Sequence, residues 1–132
     1  MKLSHLLSCL SVPVADLPDR EITDITEDSR KCPADALFVC VEGFRSDGHR
    51  YASAAYAAGC RVFVAQKELN LPRDAVVVFV ESSQNALALL ACRFYGDPSH
   101  RLTVFGITGT KGKTTTALML QKILNANGVA CG

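Results

Sequence analysis

The chain has 132 residues, of which 48% are hydrophobic, and 14 Lys and Arg against 13 Asp and Glu give it a formal charge of +1. That apolar share supports a real core and excludes a disordered tail, while charges of both signs without a run of either argue against a nucleic-acid or anionic-membrane partner. The length allows one ordinary domain, or one small domain and the start of another.

The opening "MKLSHLLSCLSVPVADL" resembles a secretory leader in that Lys2 precedes apolar residues and Ala15 ends a cleavage-like stretch. Ser4, His5, Ser8 and Ser11 break the apolar run, however, and Leu3, Leu6, Leu7 and Leu10 recur on one helical face, so the spacing predicts a short amphipathic helix. Next, "REITDITEDSR" alternates at strand period around Ile22 to Thr26 and ends in a polar turn. "ALFVCV" at 36–41 reads as a buried strand, "EGFRSDGH" at 42–49 as a glycine-containing polar loop, and "YASAAYAAG" as a small-residue helix closed by Gly59. "RVFVA" at 61–65 and "DAVVVFV" at 74–80 are two more strands; Ser82 or Ser83 then caps a helix whose Leu87, Leu90, Ala91 and Phe94 share a face.

This alternation predicts an α/β fold with a mainly parallel or mixed sheet covered by helices. "GDPSHR" at 96–101 is the predicted boundary, because Gly96 and Pro98 stop a helix and a new strand, "LTVFGIT", follows at once. Val129 to Cys131 reads as the start of a further strand. The six cysteines, at 9, 32, 40, 60, 92 and 131, show no CxxC and no close His pairing. Cys40, Cys60 and Cys92 lie in apolar segments as reduced core residues of a cytoplasmic protein would.

The densest chemistry lies in "FGITGTKGKTTTALML", Phe105 to Leu120, where a strand, a glycine turn and a helix start come in the order that nucleotide phosphates require. Gly109 and Gly112 permit tight backbone geometry that turns successive N–H groups into one cavity, and the helix N-terminus adds partial positive charge. Lys113 is placed to reach the outer phosphates and Thr114 to supply a hydroxyl to Mg2+; Thr110 and Thr115 belong to the same neighbourhood. Lys111 either touches phosphate or is a solvated surface lysine. The general phosphate-loop pattern fails by one residue, since Gly106 lies one position too early.

"TGTKGKTTT", Thr108 to Thr116, resembles the ATP loop of the Mur ligases, whose version begins threonine-glycine-threonine and so accounts for the displaced glycine. "TEDSRK" at 26–31 and "EGFRSDGHRY" at 42–51 resemble the two nucleotide-sugar loops of the MurE-type members of that family. The resemblance implies a substrate site at Glu27, Ser29, Phe44, Arg45 and Ser46, an ATP site at Gly109 to Thr115 with Lys113 catalytic, and Mg2+ at Thr114. Physically, Ser29 is a compact donor, and Arg30 or Arg45 would neutralise diphosphate by forked hydrogen bonds. Phe44 either stacks on uracil or covers the core, Glu27 departs from a place where an apolar residue can pack on the base, and His49 reads either as a phosphate ligand or, ahead of that, as a loop residue that caps or faces solvent.

By the same resemblance, residues 1–98 form a UDP-sugar-binding domain and residues 99–132 the truncated start of a central ATPase domain. The implied reaction is ATP-dependent addition of an amino acid to a UDP-N-acetylmuramoyl dipeptide through an acyl phosphate, in peptidoglycan synthesis. The central and C-terminal domains that this chemistry needs are not in these residues, so the expectation is a fragment without ligase activity of its own. The alternatives are another ligase of the superfamily, of MurF, MurT or cyanophycin type, and a small non-catalytic nucleotide-binding protein.

Overall fold

A computed structural model describes residues 1–13, 17–43 and 46–132. The chain divides into two compact units, Met1–Pro98 and Ser99–Gly132.

In the first unit, β1 (Asp24–Thr26), β2 (Ala36–Val39), β3 (Val62–Ala65) and β4 (Val76–Phe79) form a four-stranded sheet in the order β1-β2-β3-β4. All three pairings are parallel, with Ile25 opposite Leu37, Phe38 opposite Phe63 and Phe63 opposite Val77. Parallel strands buried on both sides need apolar residues at every position, and β2 and β3 meet that requirement, each buried throughout. Successive side chains point to opposite faces. One face therefore carries Leu37, Val39, Val62, Val64, Val76 and Val78, and the other Ala36, Phe38, Phe63 and Ala65.

The first face is covered by α1 (Leu3–Leu7) and α3 (Ser83–Phe94), through Leu3, Leu6, Leu7, Ala86 and Leu90. The leucine spacing at the N-terminus thus makes the amphipathic helix expected of it, and each fully buried leucine contributes about 1.5–3 kcal/mol. Among the described residues no helix is long and apolar enough to cross a membrane. Ser82 caps α3 by accepting the Asn85 N–H at 3.3 Å, and Gly96, at φ 75°, turns the chain out of the helix.

The second face receives α2 (Ala52–Ala57), whose Ala52 and Ala55 let the helix lie close to the rings of Phe38 and Phe63. Those rings meet edge to face at 6.1 Å. Cys60 is fully buried here and its thiol donates to the Ala36 carbonyl at 3.1 Å. Burial pushes the thiols of Cys32 and Cys40 up to about 12. Cys92 differs from the expectation: it is exposed on α3, because the core-facing side of that helix is held by Ala86 and Leu90.

The second unit begins in a 3-10 turn (Pro98–Arg101), and a loop then leads to α4 (Lys113–Ala126). Two expected strands are corrected here. Residues 102–108 and 129–131 form no strand, since a strand exists only through ladder hydrogen bonds and neither segment finds a partner among the described residues. Asn125 instead engages Cys131, its Oδ1 accepting the Cys131 N–H at 2.9 Å and its Nδ2 donating to the Cys131 carbonyl at 3.2 Å. No residue of α4 is buried.

Candidate functional site

In the first unit, the two polar loops singled out in the sequence meet at the C-terminal ends of parallel strands. Asp28 closes the first by accepting the Arg30 N–H at 3.1 Å, which starts a 3-10 turn over Ser29–Lys31. The second is a tight excursion from β2. Glu42 and Asp47 pair across it, the Gly43 N–H donates to the Ser46 carbonyl at 3.0 Å, and the Gly48 N–H donates to the Val41 carbonyl at 2.8 Å. Between the loops lies a cleft of about 760 Å³, lined by Glu27, Asp28, Ser29 and Arg30 on one side and by Val41, Gly43, Ser46, Gly48 and Tyr51 on the other. That volume suits a ligand of nucleotide size, and clefts beyond the carboxyl ends of parallel strands are where such ligands bind.

The structure therefore brings Glu27, Ser29, Arg30 and Ser46 to one cavity from two separate loops. Phe44 and Arg45, also expected there, lie outside the described residues. The Arg30 guanidinium is engaged by its neighbour: Nε and Nη2 donate to the two oxygens of Asp28 at 2.9 and 2.8 Å. This fork holds the Asp28 carboxyl at about 2, well below its ordinary value. Arg30 thus enters the cleft as half of an ion pair.

Two participants were not among the expected site residues. Tyr51 lines the cleft and is 46% exposed, an open aromatic face beside Ser29 and Arg30. Lys67, at the end of β3, bonds Glu42 Oε1 and Asp47 Oδ2, both at 3.1 Å, and so ties the two legs of the second loop together. His49 takes the capping alternative expected of it and not the solvent-facing one. Its side chain is only 8% exposed, its Nδ1 bonds Asp47 Oδ1, and its Nε2 accepts the Gln66 N–H at 3.0 Å. It does not face solvent, because the turn after Asp47 aims the ring inward at β3.

In the second unit, Gly109 and Gly112 adopt φ 150° and 79°, conformations that a side chain would strain, and Gly112 is the residue before α4. The helix begins at Lys113, so its unpaired N–H groups and positive dipole end border the loop as an anion site requires. The Lys113 ammonium folds back on the loop and donates to the Gly109 carbonyl at 2.6 Å. The Thr116 hydroxyl donates to the Gly112 carbonyl at 3.0 Å, which leaves the hydroxyls of Thr114 and Thr115 as those at the helix start without a hydrogen bond among the described residues. A hard hydroxyl oxygen one residue after a lysine at a helix start is a donor that suits Mg2+, so the residues present fit the expected group. Among the described residues no cluster of His, Cys, Asp and Glu has the makings of a metal site.

Comparison with known proteins gives the family. A family model described as "Mur ligase family, catalytic domain" matches residues 21–95. The chain belongs to the Mur ligase family. Over its whole length it is similar to the UDP-N-acetylmuramoyl-L-alanyl-D-glutamate--2,6-diaminopimelate ligases of Bacillus cereus, at 44% identity over 133 residues, and Clostridium botulinum, at 39% over 135. It spans 27% and 28% of those two relatives, about a quarter of their length. Among solved structures, MurF from Acinetobacter baumannii superposes on 93% of the chain with a TM-score of 0.72 and 27% identity, covering 27% of that protein. MurF ligase from Thermotoga maritima in complex with ADP matches 78% of the chain and 23% of its own, with a TM-score of 0.56 and 32% identity.

Proposed function

We propose that this chain is the nucleotide-sugar-binding part, with the ATP loop, of a cytoplasmic MurE-type ligase. The reaction is ATP-dependent addition of the third residue to UDP-N-acetylmuramoyl-L-alanyl-D-glutamate in peptidoglycan synthesis, the added amine being 2,6-diaminopimelate in the relatives. The observation that carries this reading is similarity to those ligases across 100% of the chain, both cleft loops and the phosphate loop included.

In this reading residues 1–98 hold the UDP-sugar, with Ser29 and Ser46 donating to uracil or phosphate oxygens. Tyr51 offers the base an apolar face, and Phe44 and Arg45 complete the loop. Residues 99–132 open the ATP-binding domain. Gly109 to Thr115, including Thr110, Lys111 and Gly112, wrap the phosphates; Lys113 leaves the Gly109 carbonyl to neutralise the transferring phosphoryl group; Thr114 is the ligand offered to Mg2+. Bound there, the metal ion would offset phosphate charge.

In the chemistry of such ligases a substrate carboxylate oxygen attacks the γ-phosphorus and ADP leaves, giving an acyl phosphate. The incoming amine then attacks the carbonyl carbon, loses a proton and expels phosphate. The residues of this chain bind and orient both nucleotides and leave recognition of the amine to residues beyond them. A MurF-type ligase is the second reading, favoured by the solved structures; identities of 39–44% over the whole chain against 27–32% support the first.

The test is calorimetric titration of the 132-residue chain with UDP-N-acetylmuramoyl-L-alanyl-D-glutamate. Saturable binding that UDP competes away, and that Ser29→Ala weakens about tenfold, is expected. A folded chain that takes up neither the dipeptide nor UDP would overturn the reading.

A further inference from the structure

Beyond the cleft itself, a hydrogen-bonded chain runs from the second loop into the sheet. Asp47 Oδ1 accepts the His49 N–H at 3.0 Å and also bonds the ring Nδ1, while the ring Nε2 accepts the Gln66 N–H. Gln66 Oε1 in turn accepts from the Ser83 N–H at 3.1 Å and the Ser83 hydroxyl at 2.6 Å. Ser83, the first residue of α3, is fully buried. Gln66 Nε2 donates to the Glu81 carbonyl at 3.2 Å. The segment just past β3 and the connection from β4 into α3 are thereby tied to a loop that lines the cleft.

The chain fixes a proton as well as a position. A ring nitrogen that accepts a main-chain N–H carries no hydrogen, so in the neutral imidazole the proton lies on Nδ1, where the Asp47 carboxylate receives it. Either alternative, a hydrogen on Nε2 alone or on both nitrogens, would set N–H against N–H at Gln66. The arrangement holds the loop in one place only in the Nδ1–H form. Lys67 reinforces the same root from the outside, through Glu42 and Asp47.

We propose that His49 is a positioning residue for the cleft: locked as the Nδ1–H tautomer between Asp47 and the Gln66 main chain, it sets the Gly43–Gly48 loop so that Ser46 lies across the cavity from Ser29. His49 is not among the residues lining the cleft; its effect passes through the loop. The proposal rests on the reading of that cleft as a UDP-sugar site.

The test uses the 132-residue chain with UDP-N-acetylmuramic acid as the probe. The 15N shifts of the His49 ring should show hydrogen on Nδ1 and none on Nε2. His49→Asn keeps a donor for Asp47 and loses the acceptor for Gln66, and should bind the probe about tenfold more weakly. His49→Gln places an amide oxygen near the position of Nε2 and should return affinity to within about threefold of the parent. Hydrogen on Nε2, unchanged affinity in His49→Asn, or no rescue by His49→Gln would each overturn the proposal.

Should His49→Asn fail to fold, hydrogen exchange in the unaltered chain decides. If loop and cleft are coupled, the bound probe slows exchange at the Gln66 N–H, and an unchanged rate in the saturated chain overturns the coupling. A folded parent that binds no probe removes the nucleotide reading, and the positioning role with it. That outcome is distinguishable, since parent and variants would then be equally silent while the ring tautomer still reports the clasp.

Discussion

Asp28 and Arg30 show how a residue-level reading of charge changes once partners are known. From the sequence, Arg30 is a free cation for a diphosphate; in the structure its fork is closed on Asp28, and the pair adds little net charge to the cleft. Arg30, first of all causes, lowers the Asp28 carboxyl from 3.8 to about 2. His49, followed by Lys67, does the same to Asp47, which is held well below the usual carboxylate range. The sign follows from linkage: a carboxyl depressed in the folded state contributes stability above its unfolded value and loses that contribution as pH falls through the folded value. For Asp28 the window lies between about pH 4 and pH 2. A 13C titration of the side-chain carboxyls should therefore place the Asp28 midpoint near 2, with Asp47 also ionised at a pH where ordinary exposed aspartates are largely protonated. An Asp28 midpoint at the ordinary value would mean that the fork to Arg30 does not persist in solution.

At the scale of elements, the second loop is set by close approach of backbone to backbone. A Cβ on Gly48 would lie 2.6 Å from the Val41 carbonyl oxygen and 2.7 Å from its nitrogen, and neither can yield without moving the end of β2. Gly96, by contrast, turns out of α3 with φ 75° and nothing within 4 Å of its virtual Cβ. Gly48→Ala should accordingly cost about 1–3 kcal/mol through overpacking, and Gly96→Ala about 1 kcal/mol through backbone strain alone. Only the first displaces Ser46, so only Gly48→Ala should weaken UDP-N-acetylmuramic acid binding, while urea melts record a loss of stability in both. Equal affinity of Gly48→Ala and the parent would show that the loop tolerates a shift of its root and that the cleft does not depend on it.

For the whole molecule, local pattern carried the strands and helices of the first unit but not the order in the sheet, because β2 and β3 are written as uninterrupted apolar blocks and α3 by its cap and its stripe. It carried the glycine turn into α4 for the same reason: Gly109, Gly112 and Lys113 are neighbours in sequence. It could not carry the His49 contact, whose partner Gln66 lies 17 residues away, nor the role of Tyr51, which depends on where the turn after Asp47 sends the chain. The strand expected at 102–108 failed for a related reason. Its residues have strand composition, as Val104, Phe105 and Ile107 show, but pairing belongs to the partner as much as to the strand.

The same dependence on partners sets the stability of the two units apart. The first buries Phe38, Phe63, Leu37 and Leu90 completely, and its strands are bonded on both sides at β2 and β3. In the second, α4 has 14 residues and buries none, while Leu118, Met119 and Ile123 remain 52%, 62% and 60% exposed. A helix of that length without a packed face is marginal in water, since nucleation is costly and most helix stability comes from tertiary burial. Native-state hydrogen exchange on the 132-residue chain should therefore find amides of β2 and β3 protected up to the global unfolding free energy, and those of α4 close to unprotected rates. Adding ATP with Mg2+ should raise protection first at Thr114 to Thr116, the helix start that the proposed reading sets against the phosphates. Strong protection of α4 in the unliganded monomeric chain would show that its apolar side is covered after all, and would require a packed second unit in place of a loop and an open helix.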